Sequence, residues 1–300
     1  MDLPNVYLRE DVVERFARML RYDGAALDQV AADLQQQAVA RGQRTLSLLD
    51  VGIGDGGFTV PVLAYLERTG VLDYHLNCLD VSPHMLSALE AALSAHSIPG
   101  SRVKLLLQDA RQGLGEHGGA SIYDAAIVTF VLQYVEKWRG VMDDVVRALK
   151  DGGILLQAEI AGEMKLVDGM FDTDSSPEFK SFWREYFRLR SEFCEFNPPI
   201  RVSDLSLVRQ YIEHERCLEP LMSRVFLWDR KVKWLEMCNW IQWGPVSSLG
   251  SGLDGGQMAV LADRMRAWVA ARFSGADPDY TMRWGFEITW HRKCRHSKVE

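Results

Sequence analysis

An α/β fold built on a mostly parallel, doubly wound sheet is predicted by three features of this 300-residue sequence. Short apolar runs alternate with stretches of helical periodicity, the pattern of repeated βαβ units. The run Leu46, Leu48, Leu49 and Val51 leads past Asp50 into glycines at 52, 54 and 56, and a helical stretch follows at once. An acid also stands at the end of each of three successive predicted strands: Asp50, Asp80 and Asp109.

The chain ahead of the first strand reads as two helices. Val12, Val13, Phe16, Met19 and Leu20 fall at helical spacing, and Leu27, Val30, Ala31 and Leu34 repeat it after the break Tyr22-Asp23-Gly24. These helices either pack on the sheet edge or form a lid that lends Tyr7 or Tyr22 to a substrate.

Leu46 to Val51 is short, apolar and bounded by turn residues, as a buried parallel strand should be. The helix after the glycines runs from about Thr59 to Arg68, with Gly70 as its stop. Tyr74 to Asp80 is the second strand. Ser82-Pro83 then supplies an N-cap and a proline at the first helical position, opening a helix through Met85, Leu86, Leu89 and Leu93 to about His96. Val103 to Gln108 is the third strand, ending in Asp109-Ala110, and Gly113 to Gly119 is a loop. Tyr123 to Phe130 is the fourth strand, followed by a helix from Trp138 to Leu149, a turn at Lys150 to Gly153 and a fifth strand from Ile154 to Ile160.

Beyond Ala161, Phe179 to Phe187 reads as an amphipathic aromatic helix, and Val202-Ser203-Asp204 opens another to about His214. Leu221 to Trp228 is a strand, Val232 to Trp243 a helix, and Gly244 to Gly256 a glycine and serine loop. Met258 to Phe273 is a helix and Tyr280 to His291 a final alternating strand. The basic run His291 to His296 is expected to be a frayed, solvated tail.

Composition narrows the function classes. Apolar residues make up 47% and charged residues 25%, with a net charge of −7, which argues against a general nucleic-acid binder. Five cysteines and seven histidines show no metal-site spacing, so no metal is expected. With no signal peptide and no long apolar span, the expected location is the cytoplasm and no membrane partner is expected. The sequence leaves the oligomeric state open.

Glycines at the strand end let backbone approach a ligand more closely than any Cβ allows, and the following helix N-terminus offers N–H groups to an anionic group. Asp50 can hold a cationic ammonium, Asp80 can accept both ribose hydroxyls, and Asp109 can accept from an adenine amine. Asp50-x-Gly52-x-Gly54-x-Gly56 resembles motif I of the class I S-adenosylmethionine-dependent methyltransferases. Gly52, Gly54 and Gly57 also satisfy the dinucleotide fingerprint Gly-x-Gly-x-x-Gly. A nicotinamide site has no standing need for the first and third acids, so S-adenosylmethionine is the expected cofactor. Thr129-Phe130-Val131-Leu132-Gln133-Tyr134 resembles the family's motif IV, without the Asn/Asp-Pro-Pro-Tyr signature that grips an amide or a base amine.

The layout is similar to that of the histamine N-methyltransferase-like enzymes: two leading helices, an aromatic helix after the fifth strand, Ile200 to Leu205 opening a helix, and helices between the last two strands. Phe130 stands where that group has a glutamine meeting the imidazole, which turns expectation away from histamine. The resemblance implies a seven-stranded sheet with its last strand antiparallel, in one domain: a helical lid over 1–44, a donor-binding core over 45–160 and a cap with the final two strands over 161–300. It implies that Asp50, Gly52, Gly54, Gly56, Asp80, Val81, Met85, Asp109, Ala110 and Thr129 hold the donor. Tyr22, Phe130, Tyr134 and Trp183 are the expected acceptor contacts.

The expected reaction is methyl transfer to a small molecule, with nitrogen preferred over oxygen. Methylation of a phenol or carboxylate is the alternative, and His84, Glu159, Glu163 and His214 are the bases it could use; no catalytic acid or base is assigned. Trp183, Tyr186, Trp240, Trp243, Trp284 and Trp290 either wall an acceptor pocket or fill a core. A reductase reading would need a Tyr-x-x-x-Lys set near Tyr134, and none is present. A non-catalytic scaffold is the remaining alternative.

Overall fold

The computed structural model describes residues 22–115, 121–132, 135, 137–162, 166–167, 170–171, 176–193, 205–216, 218–243 and 253–294. Its centre is a seven-stranded sheet: β1 (Thr45–Val51), β2 (Asp73–Asp80), β3 (Val103–Leu107), β4 (Tyr123–Thr129), β5 (Leu149–Gly162), β6 (Leu218–Lys233) and β7 (Asp279–Lys293). The spatial order is β3-β2-β1-β4-β5-β7-β6. The first five strands pair in parallel, and β7 runs antiparallel to both of its neighbours. Successive strands are added outward from β1 to β3 on one side and from β4 to β5 on the other, and the switch point between β1 and β4 is where an open α/β sheet takes a ligand.

Helices cover both faces. On one side α1 (Gly24–Ala40), α2 (Thr59–Thr69) and α3 (Pro83–Ala95) bury Leu34, Leu63 and Leu89 with Leu48, Leu76 and Ile127 of the strands. On the other, α4 (Trp138–Ala148) and the segment α6 (Leu205–Gln210) pack Val145 and Val208 against Leu49, Val128 and Leu155. The local signals set these helices as the sequence foretells. Asp23 and Ser82 accept from Ala26 and Met85 N–H groups as N-caps, and Gly70 stops α2 at φ 61°. Val12 to Leu20 and Tyr7 lie outside the described residues.

A third cluster lies beyond the sheet. There α5 (Pro177–Arg190), α7 (Trp234–Trp243) and α8 (Gly255–Arg272) pack with Val232, Met282 and Trp284 from β6 and β7. Two expectations are corrected here. The strand expected at Leu221–Trp228 runs twice as far, because β6 pairs with β7 from Leu218↔Lys293 to Lys233↔Asp279. The basic run is not frayed through residue 293: His291 is buried against Glu213 at 2.9 Å, and Lys293 donates to the carbonyls of Val146 and Leu149 at 2.9 and 2.6 Å. Long-range partners hold these side chains, and no local signal announces them.

Candidate functional site

The glycine turn is fastened to the end of β2. Gly52 and Ile53 both donate N–H to the Leu79 carbonyl, at 2.8 and 3.2 Å. Gly52 sits at φ 74°, and a Cβ there would come within 2.5 Å of Val131. Gly56, at φ 81°, faces Leu89 and Val60 at 2.5 and 2.6 Å and so serves packing. Gly54 differs: at φ 60° it has no atom within 4 Å of a built Cβ, because its open side is a cavity.

That cavity, about 960 Å³ including its open mouth, lies over the carboxyl ends of β1, β2 and β4. Asp80 stands on its wall and accepts N–H groups from Gly54 at 3.0 Å and Ser82 at 2.8 Å. Burial pushes the Asp80 carboxyl above its usual range, and Asp55 nearby adds to the rise. Asp55 also lines the cavity, accepts from Gly57 N–H at 3.0 Å, and is raised by burial.

Asp50 lies behind this wall and is fully buried. The Thr59 hydroxyl donates to one of its oxygens; the other has no hydrogen-bond partner. Burial pushes its carboxyl up to about 7. Two carboxylates in the cavity wall and one behind it make this end of the site attractive to a cation.

The end near β3 is differently arranged. Asp109 caps the turn Ala110–Gln112 and is held by the Arg111 guanidinium at 2.7 Å, which pulls its carboxyl below the usual range. Both Asp109 oxygens thus already accept from Arg111. Gln108 completes this end by donating to the Gly113 carbonyl at 2.8 Å.

Aromatic rings form the remaining wall. Phe130 follows β4 with a positive φ of 54°, a strained conformation for a bulky residue, held by its N–H on the Ala158 carbonyl at 3.0 Å. That conformation sets its ring against Tyr22, stacked at 5.4 Å between centroids. Phe58 meets both rings edge-on at 5.8 and 6.2 Å.

Of the residues expected to hold the donor, Gly52, Gly54, Asp80, Val81, Met85, Asp109, Ala110 and Thr129 line this one cavity, while Asp50 and Gly56 stand behind it. Tyr22 and Phe130 line it too. Tyr134 lies outside the described residues. Trp183 is not at the cavity: it is buried in the third cluster between Phe179, Phe182 and Tyr186. Trp240, Trp284 and Trp290 are likewise core.

Asp55, Phe58, Gln108, Arg111, Val131 and Val135 were not foreseen. Most are sequence neighbours of foreseen residues on the same loops, and that adjacency was the available signal. Of the candidate bases, His84 is half-buried, His214 exposed, and Glu163 outside the described residues. Glu159 is buried at the end of β5, pushed up to about 8 by burial, and is not on the cavity wall.

Residues 49–155 match the family described as a methyltransferase domain. Over 165 residues the chain is 27% identical to the hybrid PKS-NRPS synthetase apdA of Emericella nidulans, a match covering 53% of this chain and only 4% of that much longer protein. The fold is similar to that of YjhP from E. coli, with 12% identity, a TM-score of 0.50, and coverage of 96% of this chain and 99% of that one. Phosphoethanolamine N-methyltransferase 2 of Haemonchus contortus, solved in complex with S-adenosyl-L-methionine, aligns with 88% of this chain and 53% of its own at 14% identity and a TM-score of 0.41. The glycine turn, the strand-end acids and the first five strands of the sheet thus lie within or beside the stretch, residues 49–155, that matches a methyltransferase domain.

Proposed function

We propose that the chain transfers a methyl group from S-adenosylmethionine to a small-molecule acceptor, with nitrogen preferred over oxygen. The observation that carries this reading is one cavity in which an acid-rich end adjoins an aromatic wall. The acid-rich end fits the donor. Open space at Gly54 leaves room for a ligand against backbone, and the unpartnered oxygen of buried Asp50 stands behind the turn where a cation would be held. Asp80 would take the ribose hydroxyls on the lone pairs left beside the N–H groups it accepts from Gly54, Ser82 and Val81. Ala110 and the paired Asp109 and Arg111 would flank the adenine.

Bound there, the donor supplies a methyl group already activated by its sulfonium. The protein's own work is then alignment and exclusion of water. Tyr22, Phe58 and Phe130 form the wall that would receive a planar or cationic acceptor on their faces. The described cavity wall holds no histidine, lysine or cysteine. A neutral amine needs no base to attack, whereas a phenol benefits from one titrating near neutrality. Residues 161–300 would close the acceptor side as a cap within one domain. No described helix is long and apolar enough to cross a membrane, and no described cluster of His, Cys, Asp and Glu could hold a metal. We place the activity in the cytoplasm, on a metabolite and not on nucleic acid.

The test is incubation with donor labelled at the methyl group and a metabolite panel, with the labelled product identified by mass spectrometry. A labelled amine supports the reading. A labelled phenol ether or carboxylate ester establishes the oxygen alternative. A chain that binds a nicotinamide cofactor in calorimetry but not the donor ends the proposal.

A further inference from the structure

Asp109 and Arg111 stand together on the cavity wall just past the end of β3. The Asp109 carboxylate is in use on both oxygens. Oδ1 accepts the Arg111 backbone N–H and its Nε–H, both at 2.9 Å. Oδ2 accepts from Nη2 at 2.7 Å and shares the Nε–H at 3.0 Å. The sequence builds this pair locally. Asp109 caps the turn Ala110–Gln112, which brings the Arg111 N–H onto Oδ1 and lets the same residue's side chain fold back over the carboxylate.

The other two acids on the wall differ. Asp80 and Asp55 accept from backbone N–H groups, and neither pairs with a cation among the described residues. Of the three, Asp109 alone holds a guanidinium against itself.

That difference decides what Asp109 can offer a ligand. A carboxylate has about four acceptor positions, and the guanidinium fork with the backbone N–H takes most of them. Bonds from a guanidinium are charge-assisted, roughly twice as strong as those from a neutral donor such as the exocyclic amine of a purine. The Arg111 and Asp109 side chains are 28% and 14% exposed, so solvent screens the pair only in part. The amine therefore does not displace the guanidinium, and it meets a carboxylate already filled and neutralised.

We propose that Arg111 sets what the donor site reads of the purine. By occupying Asp109 it withholds the carboxylate from the group at purine C6, so the site binds an adenosyl donor with little regard for the amine and takes donors altered at that position. This rests on the donor reading above.

Calorimetry of the whole chain tests it with two ligands: S-adenosylhomocysteine, and the same molecule with hydrogen in place of the purine amine. The unmodified chain should bind both, with Kd values within about threefold of each other. Arg111→Ala should tighten S-adenosylhomocysteine about fivefold to tenfold and leave the amine-free analogue unchanged. Arg111→Gln, which keeps the length of the side chain without its charge, should act in the same direction. Adding Asp109→Asn, which keeps the cap but turns an N–H donor toward the amine, should abolish the gain. A preference above about tenfold for the amine in the unmodified chain overturns the proposal. So does equal weakening of both ligands in Arg111→Ala, which would make Arg111 a direct donor contact, or unchanged affinity for both in the two Arg111 variants. An unmodified chain that binds neither ligand overturns the donor reading itself, and this inference with it.

Discussion

Asp80 accepts the Gly54 N–H at 3.0 Å, so the acid at the end of β2 fixes the glycine turn at the end of β1. The same carboxylate accepts from Ser82 and opens α3. One side chain thus joins two loops around the cavity, and any change to it is felt in both.

Asp80→Ala should therefore weaken the donor and its demethylated product alike, by on the order of 10- to 100-fold. Asp80→Asn, which keeps one acceptor oxygen, should fall between. Calorimetry measures both, and unchanged affinity in the alanine variant would remove Asp80 from the donor site.

Gly52 and Gly54 separate packing from ligand space. Gly52→Ala forces a Cβ to within 2.5 Å of Val131 on a backbone at φ 74°, and should cost about 1–3 kcal/mol of stability. Gly54→Ala meets no protein atom, so its stability loss should be about 1–2 kcal/mol, that of the left-handed backbone alone. Its added methyl points into the cavity and should raise the donor Kd about tenfold or more. Equal donor affinity in Gly54→Ala and the unmodified chain would show that no ligand uses that space.

Trp183→Ala should act on stability. The indole is 2% exposed among Phe179, Phe182 and Tyr186, and removing it should cost about 3–5 kcal/mol in urea unfolding. Acceptor KM should stay unchanged under conditions where the variant is folded. A raised KM with little loss of stability would restore Trp183 to the acceptor site.

Glu159 gives the fold a pH dependence. Its carboxyl is pushed from 4.5 up to about 8 by burial. Between those values the folded chain keeps a proton that the unfolded chain has released, so stability falls as pH rises through that window. Asp50, pushed up to about 7, acts in the same direction. Glu159→Gln should flatten the decline in Tm from about pH 5 to 8 and gain on the unmodified chain at the upper end. Identical slopes in the two proteins would exclude Glu159 as a source.

Much of the site was legible because its parts are local. Strand-end acids, glycines in the left-handed region, Ser82-Pro83 and Gly70 each act within a few residues, so spacing alone places them. What was missed depends on distant partners. Asp109 was foreseen at the cavity, but its engagement by Arg111 is a matter of rotamers. Helical spacing placed Trp183 in an aromatic helix, and such spacing is the same whether the rings face a ligand or a core. Lys293 and His291 looked like a solvated tail because their partners, Val146, Leu149 and Glu213, lie far off in sequence.

β7, the last of the seven described strands in chain order, is inserted between β5 and β6. A nascent chain that has emerged only through residue 278 has made β6 but not the strand it pairs with among the described residues, which begins at Asp279. Those 16 residues then lack their paired strand, with Leu218, Val232 and the far end of the third cluster uncovered. Completion of the sheet is therefore a late event, and a stall in translation before Asp279 leaves behind a chain prone to stick to its neighbours.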